Sequence, residues 1–176
     1  MTKKILVFGA SSSKNSINKQ LATYTANQFK NVSVEILDLN DYEMPIFSID
    51  KEKENGIPQL AHDFYAKLGS ADLILISFAE HNGAYSTAFK NIFDWASRIN
   101  GKTFQEKPML LLATSPGARG GSSVLEIAKN RFPFQGGIVK GSFSLPSFND
   151  NFDSEKGITN KELKNQLLEI VNSIEL

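Results

Sequence analysis

Apolar segments of two lengths alternate along this chain, and that alternation limits the fold more than any other feature. Short runs at Ile5–Phe8, Val32–Leu39, Leu73–Ser77, Met109–Ala113 and Ile138–Phe143 are rich in branched and aromatic side chains. Between and after them lie longer stretches, Ile17–Phe29, Pro58–Leu68, Tyr85–Ile99, Ser122–Phe132 and Asn160–Ile174, with apolar residues spaced three and four apart, as in Leu60, Phe64 and Leu68. The short runs have the length of strands and the long ones the period of helices. The cores ILVF, LILI and MLLLA lack the alternate polar residue of a half-solvated strand, so they predict strands covered on both faces. Repeated strand–helix alternation of this kind predicts an α/β three-layer sandwich. Right-handed crossovers then favour a five-stranded parallel sheet in the order 2-1-3-4-5.

The chain has 176 residues, which suits one domain (residues 1–176) around a sizeable core. The polar stretch Ser48–Gly56 reads as a mobile surface loop and Phe148–Gly157 as a second loop. Thr159 is placed to cap the last helix, with Glu162 reaching back. Phe132-Pro133-Phe134 fits either an exposed subunit interface or the core.

Several function classes fall away on composition. Lys plus Arg (19) balances Asp plus Glu (19), so no nucleic acid or anionic membrane is expected as a partner. There is no cysteine, which removes disulfides, thiolate catalysis and zinc–thiolate sites. With His62 and His81 as the only histidines, no metal site is expected. The apolar run in MTKKILVFGA is too short for a signal peptide, and no stretch approaches the roughly 18 apolar residues that span a bilayer, so the expected location is the cytoplasm.

In an open parallel sheet, ligands bind beyond the carboxyl ends of the strands beside the switch point. Three unusual loops fall there, after the first, third and fourth strands. The first, Gly9–Asn18, crowds Ser11, Ser12, Ser13 and Ser16 against a helix start, where free backbone N–H groups and the helix dipole favour a phosphate. It lacks both the Walker A and the dinucleotide glycine patterns. The second, Phe78–Tyr85, contains Glu80, His81 and the turn-forming pair Asn82-Gly83. The third, Thr114–Ser122, contains Ser115, Gly117, Arg119, Gly120 and Gly121, and its glycines permit close backbone approach to a ligand. Taken singly, each is also an ordinary turn. Together they fit one planar, phosphorylated ligand.

These loops resemble those of the NADPH-dependent FMN reductase family, a flavodoxin-like family that includes bacterial quinone, chromate and azo reductases. Its first motif, roughly Gly-Ser-x-Arg-x-x-Ser-x-Asn, corresponds to Ala10–Asn18. Its second, Pro-Glu-Tyr-Asn-Gly followed by a helix with Leu-Lys-Asn-x-x-Asp-Trp, corresponds to Ala79–Gly83 and Phe89–Trp95. Its third, Ser-x-Gly-x-x-Gly-Gly, is present as Ser115–Gly121. The resemblance covers roughly residues 4–145.

The resemblance implies that Ser11, Ser13, Ser16, Ile17 and Asn18 hold the phosphate of FMN. Glu80, His81, Asn82 and Gly83 would line its ring, and Ser115, Gly117, Arg119, Gly120 and Gly121 would meet the other edge. Lys90, Asn91, Asp94 and Trp95 would be structural or interfacial. It further implies hydride transfer from NADPH or NADH through FMN to a free flavin, quinone, azo compound or metal oxyanion, in alternating half-reactions. No catalytic side chain is needed for that. A homodimer or homotetramer would complete the site. The chain departs from the family at Ala10 (for glycine), Ser13 (for the phosphate arginine), and Ala79 and His81 (for proline and tyrosine). Lys14 and Lys19 are the cations placed to compensate for Ser13. Three other readings remain open at this level: an electron-transfer flavodoxin without a nicotinamide site, a relative that has lost its flavin, and a phosphate-dependent hydrolase or transferase.

Overall fold

The computed structural model describes residues 2–176. The strands are β1 (Lys3–Ala10), β2 (Val32–Ile36), β3 (Leu73–Phe78), β4 (Glu80–His81), β5 (Ala84–Tyr85), β6 (Lys107–Thr114), β7 (Gly137–Leu145), β8 (Phe152–Asp153) and β9 (Gly157–Ile158). The helices are α1 (Ile17–Ala26), α2 (Ile49–Asn55), α3 (Gln59–Gly69), α4 (Thr87–Ile99), α5 (Ser122–Arg131), α6 (Phe148–Asn151) and α7 (Lys161–Ser173).

The main sheet is parallel and ordered β2-β1-β3-β6-β7, which is 2-1-3-4-5 when only its own strands are counted. β4–β5 and β8–β9 are separate antiparallel hairpins. Successive residues of β1 feed opposite faces, as strand geometry requires. Leu6 and Phe8 join the core under α3, α4 and α5, whereas Ile5 and Val7 join the core under α1 and α7. All four are fully buried, as is every residue of β3. The switch point lies between β1 and β3, so the chain leaves these neighbouring strands toward opposite layers.

The structure amends several local expectations. Ser48–Gly56 contains helix α2, because Ser48 Oγ accepts from Lys51 N at 3.2 Å and Gly56 closes the helix at φ 74°. α2 buries no residue, so it left no apolar period in the sequence. The cap of α7 is Asn160, whose side chain accepts from Glu162 N and Leu163 N, both at 3.1 Å. Thr159 is instead held in the β8–β9 region by its N–H on Asn151 O at 2.9 Å. The second strand ends at Ile36, three residues early, because Asp38 caps a 3-10 turn over Leu39–Tyr42. As an edge strand it is only partly covered. α1 ends at Ala26, short of Phe29. Phe148–Gly157 holds α6 and most of a hairpin. Phe132 is core, packed 4.3 Å (centroid to centroid) from Phe104, whereas Phe134 is 73% exposed.

No helix among the described residues is long and apolar enough to cross a membrane.

Candidate functional site

The first loop is folded by its serines. Ser11 Oγ accepts from Ser13 N at 3.1 Å, Ser13 O accepts from Ser16 N at 3.1 Å, and Ser16 Oγ caps α1 by accepting from Lys19 N at 3.1 Å. That cap uses the third N–H of the helix and leaves those of Ile17 and Asn18 without an intrahelical partner. The first turn of α1 carries no acidic residue. An anion placed there meets two N–H donors and the positive end of the helix dipole. Gly9 lets α1 come this close: a Cβ on it would lie 2.5 Å from Lys19 N.

Asn18 does more than the sequence suggested. It is 2% exposed, and its amide clasps two strand ends. Nδ2 donates to Thr114 O at 3.1 Å, while Oδ1 accepts from Thr114 N at 3.0 Å and from Ser77 Oγ at 2.7 Å. Thr114 Oγ1 in turn donates to Leu145 O at 2.7 Å. The start of α1 is thereby pinned to β3, β6 and β7. The Asn18 side chain is committed to this clasp, so its backbone N–H is what it offers a ligand.

In the second loop, Asn82 (φ 52°) and Gly83 (φ 77°) form the tip of the β4–β5 hairpin, which the paired left-handed conformations of a tight turn require. Glu80 is part-buried, and its Oε2 accepts from Val124 N at 3.0 Å. α5 begins at a left-handed Gly121 with no side-chain cap of its own, so Glu80 caps it from another element. Replacing Glu80 with alanine is expected to lower stability by about 1–2 kcal/mol, with glutamine losing less, as thermal denaturation would show. Ser86 Oγ donates to Ala10 O at 2.7 Å and ties the end of β1 to α4.

The third loop turns sharply: Gly117 O accepts from Gly120 N at 3.1 Å and from Ser147 N at 3.0 Å. Gly120 (φ 57°) packs against β7, where a Cβ would lie 2.4 Å from Ser144 Oγ. Arg119 is exposed and donates to Ser123 Oγ.

Between these loops lies an open cleft of about 280 Å3. Ser11, Ser13, Ser16, Ile17 and Asn18 line it from the first loop, Glu80 and His81 from the second, and Ser115 from the third. Asn15, Ala79, Thr114 and Pro116 complete the wall. Asn82, Gly83, Gly117, Arg119, Gly120 and Gly121 do not line it; they shape the turns that carry the lining residues. Lys19 is engaged with Asp38, Nζ to Oδ2 at 2.6 Å, and that ammonium holds the Asp38 carboxyl below its ordinary range. Lys14 is exposed beside the loop. The clasp by Asn18 and the cap by Glu80 left no local signal, since their partners lie 96 and 44 residues away.

Residues 3–150 match the family described as NADPH-dependent FMN reductase. An uncharacterized Mycoplasma pneumoniae protein is 31% identical over 164 residues, covering 90% of this chain and 96% of that protein. An NADPH:quinone oxidoreductase of Arabidopsis thaliana is 27% identical, covering 86% of this chain and 77% of that one. Among solved structures, FerB, a flavoenzyme NAD(P)H:(acceptor) oxidoreductase from Paracoccus denitrificans, superposes with a TM-score of 0.77 at 22% identity, covering 97% of this chain and 94% of the other.

Proposed function

The chain belongs to the NADPH-dependent FMN reductase family, whose members are NAD(P)H-dependent oxidoreductases, and from that premise we propose that it passes hydride equivalents from NADPH or NADH to a small electron acceptor, with FMN seated in the three-loop cleft. The observation that carries this reading is the meeting of all three loops around one open cleft, with Ile17 and Asn18 of the α1 N-terminus in its wall. Bound FMN supplies the hydride and electron chemistry, which no side chain here could provide.

The residues present fit such a group. Ile17 and Asn18 would hold its phosphate through backbone N–H groups, with the Ser11 and Ser13 side chains beside it. The β4–β5 hairpin and Ser115 would flank the ring system, and the Glu80 cap would fix the spacing of those two walls. The cleft lies near the low end of ligand-pocket volumes and is open, so a planar ring seated in it keeps a face uncovered. The nicotinamide and the acceptor would use that face in turn. A quinone, a free flavin, an azo compound or a metal oxyanion would each suit an exchange that depends on access rather than on a shaped acceptor pocket. A second copy of the chain would narrow this opening, and we assign a homodimer or homotetramer on that ground. We place the activity in the cytoplasm.

Ser13 stands where the family has its phosphate arginine. Replacing Ser13 with arginine is expected to tighten FMN binding by about tenfold, or about 1.4 kcal/mol, because a charge-assisted contact is restored. Fluorescence titration of the apoprotein with FMN would measure it. The acceptor class is tested by steady-state NADPH oxidation with a quinone, an azo dye and free FMN in parallel. Turnover with at least one of them, with parallel-line kinetics, is expected; no NADPH oxidation with any of them contradicts the proposal.

A further inference from the structure

A groove of about 520 Å3, larger than the cleft, lies between the outer face of α1 and the β8–β9 hairpin. Asn15 and Ser16 line both spaces, so groove and cleft meet at the start of α1, where the phosphate of a mononucleotide would lie. Lys14 and Lys19 line the groove beside that junction, Lys19 already paired with Asp38, and one carboxylate, Glu155, lines it further along. Tyr24 stands two helical turns further along, roughly 12 Å from Ser16. Its ring packs edge-to-face with Phe152, with centroids 5.7 Å apart and an interplanar angle of 85°. Gly157 presses its backbone on the Tyr24 ring, since a Cβ there would lie 1.9 Å from Tyr24 Cε2. The side chains of Gln20 and Asn27 complete the wall with donors and acceptors for a heterocycle edge.

We infer that this groove is an adenylate subsite, taking the adenosine 5′-phosphate half of a dinucleotide: either a flavin dinucleotide whose flavin half occupies the cleft, or a nicotinamide dinucleotide whose nicotinamide half lies over the open face of bound FMN. The order of its chemistry matches that of the ligand: cations where a second phosphate follows the first, then aromatic side chains and amides where an adenine would pack and hydrogen-bond. The other space beside the first loop, reached at Ser12, is lined by Glu43 and by no lysine or arginine, whereas the groove sets two lysines against its one carboxylate, Glu155. Two dinucleotides carry the moiety: FAD, and the nicotinamide cofactor. The inference rests on a phosphate at the α1 N-terminus, as in the proposed function.

The test compares FMN and FAD binding to the apoprotein by fluorescence titration. It also measures ADP-ribose binding, with and without FMN, by calorimetry. Each is repeated with Gln20→Glu, which sets a carboxylate in the groove on an exposed helical position, and with Phe152→Ala. If the adenylate comes from the flavin, FAD binds at least about tenfold tighter than FMN and both substitutions remove the margin, with FMN affinity unchanged. If it comes from the nicotinamide cofactor, FAD and FMN bind alike, and ADP-ribose binding to the FMN-loaded protein weakens about tenfold in Gln20→Glu. Equal flavin affinities together with ADP-ribose binding that is absent or insensitive to both substitutions overturn the inference. Failure of both flavins to bind overturns the proposed function, and the ADP-ribose titration still reads the groove in that case.

Discussion

Replacing Asn18 with alanine should lower the unfolding free energy by roughly 3–5 kcal/mol and abolish measurable FMN binding. The side chain is 2% exposed and satisfies Thr114 N, Thr114 O and Ser77 Oγ together. Alanine leaves those buried groups without their partner, at about 1–3 kcal/mol for each group left unsatisfied, and opens a small cavity besides. For a chain of this length a loss near 4 kcal/mol corresponds to a fall of roughly 10–15 °C in Tm. Binding fails for a linked reason: the same amide sets α1 against the ends of β3 and β6, so the phosphate donors and the second and third loops lose their common frame. Thermal denaturation and FMN titration check the two parts separately. A variant that melts like the parent would show that the clasp contributes little.

The second large effect is expected at Gly9. An alanine Cβ would sit 2.5 Å from Lys19 N and 2.8 Å from Lys19 Cα. Both are backbone atoms of α1, so no side-chain rotation relieves the contact and the helix start must move off the sheet. Overpacking of this kind costs typically about 1–3 kcal/mol. The displaced segment carries Ile17 and Asn18, so FMN affinity is expected to fall by about a hundredfold or more, equivalent to about 2.7 kcal/mol. Gly83→Ala is the control. Nothing lies within 4 Å of a Cβ there, and the cost is the left-handed φ of 77° alone, about 1–2 kcal/mol. Titration of both variants with FMN should separate them clearly, with Gly83→Ala close to the parent.

The sheet is legible in the sequence because its signal is local. Ile5–Phe8, Leu73–Ser77 and Met109–Ala113 are apolar on both faces, and their burial follows directly. The three loops were likewise visible, since serine, Asn-Gly and glycine clusters mark strand ends through their own backbone preferences. α2 is not legible as a helix because nothing on it is buried; its cap and its charge order are the marks it leaves. The roles of Asn18 and Glu80 could not be read from neighbours in sequence, because a buried amide or carboxylate is defined by partners that only the assembled sheet supplies. Residues expected to touch the ligand thus divide into two kinds. Ser11, Ser13, Ser16, Ile17, Asn18, Glu80, His81 and Ser115 line the cleft, while Asn82, Gly83, Gly117, Arg119, Gly120 and Gly121 build the turns behind it.

If this cleft holds a flavin, a nicotinamide nucleotide should be able to reach it. The visible spectrum of the purified protein with stoichiometric FMN, recorded under anaerobic conditions before and after addition of NADPH, decides this. A bound-flavin band at ~450 nm should bleach on NADPH addition and return when a quinone is admitted. A flavin that binds but keeps its colour with both NADPH and NADH, or a protein that binds no FMN at all, would contradict the proposed function.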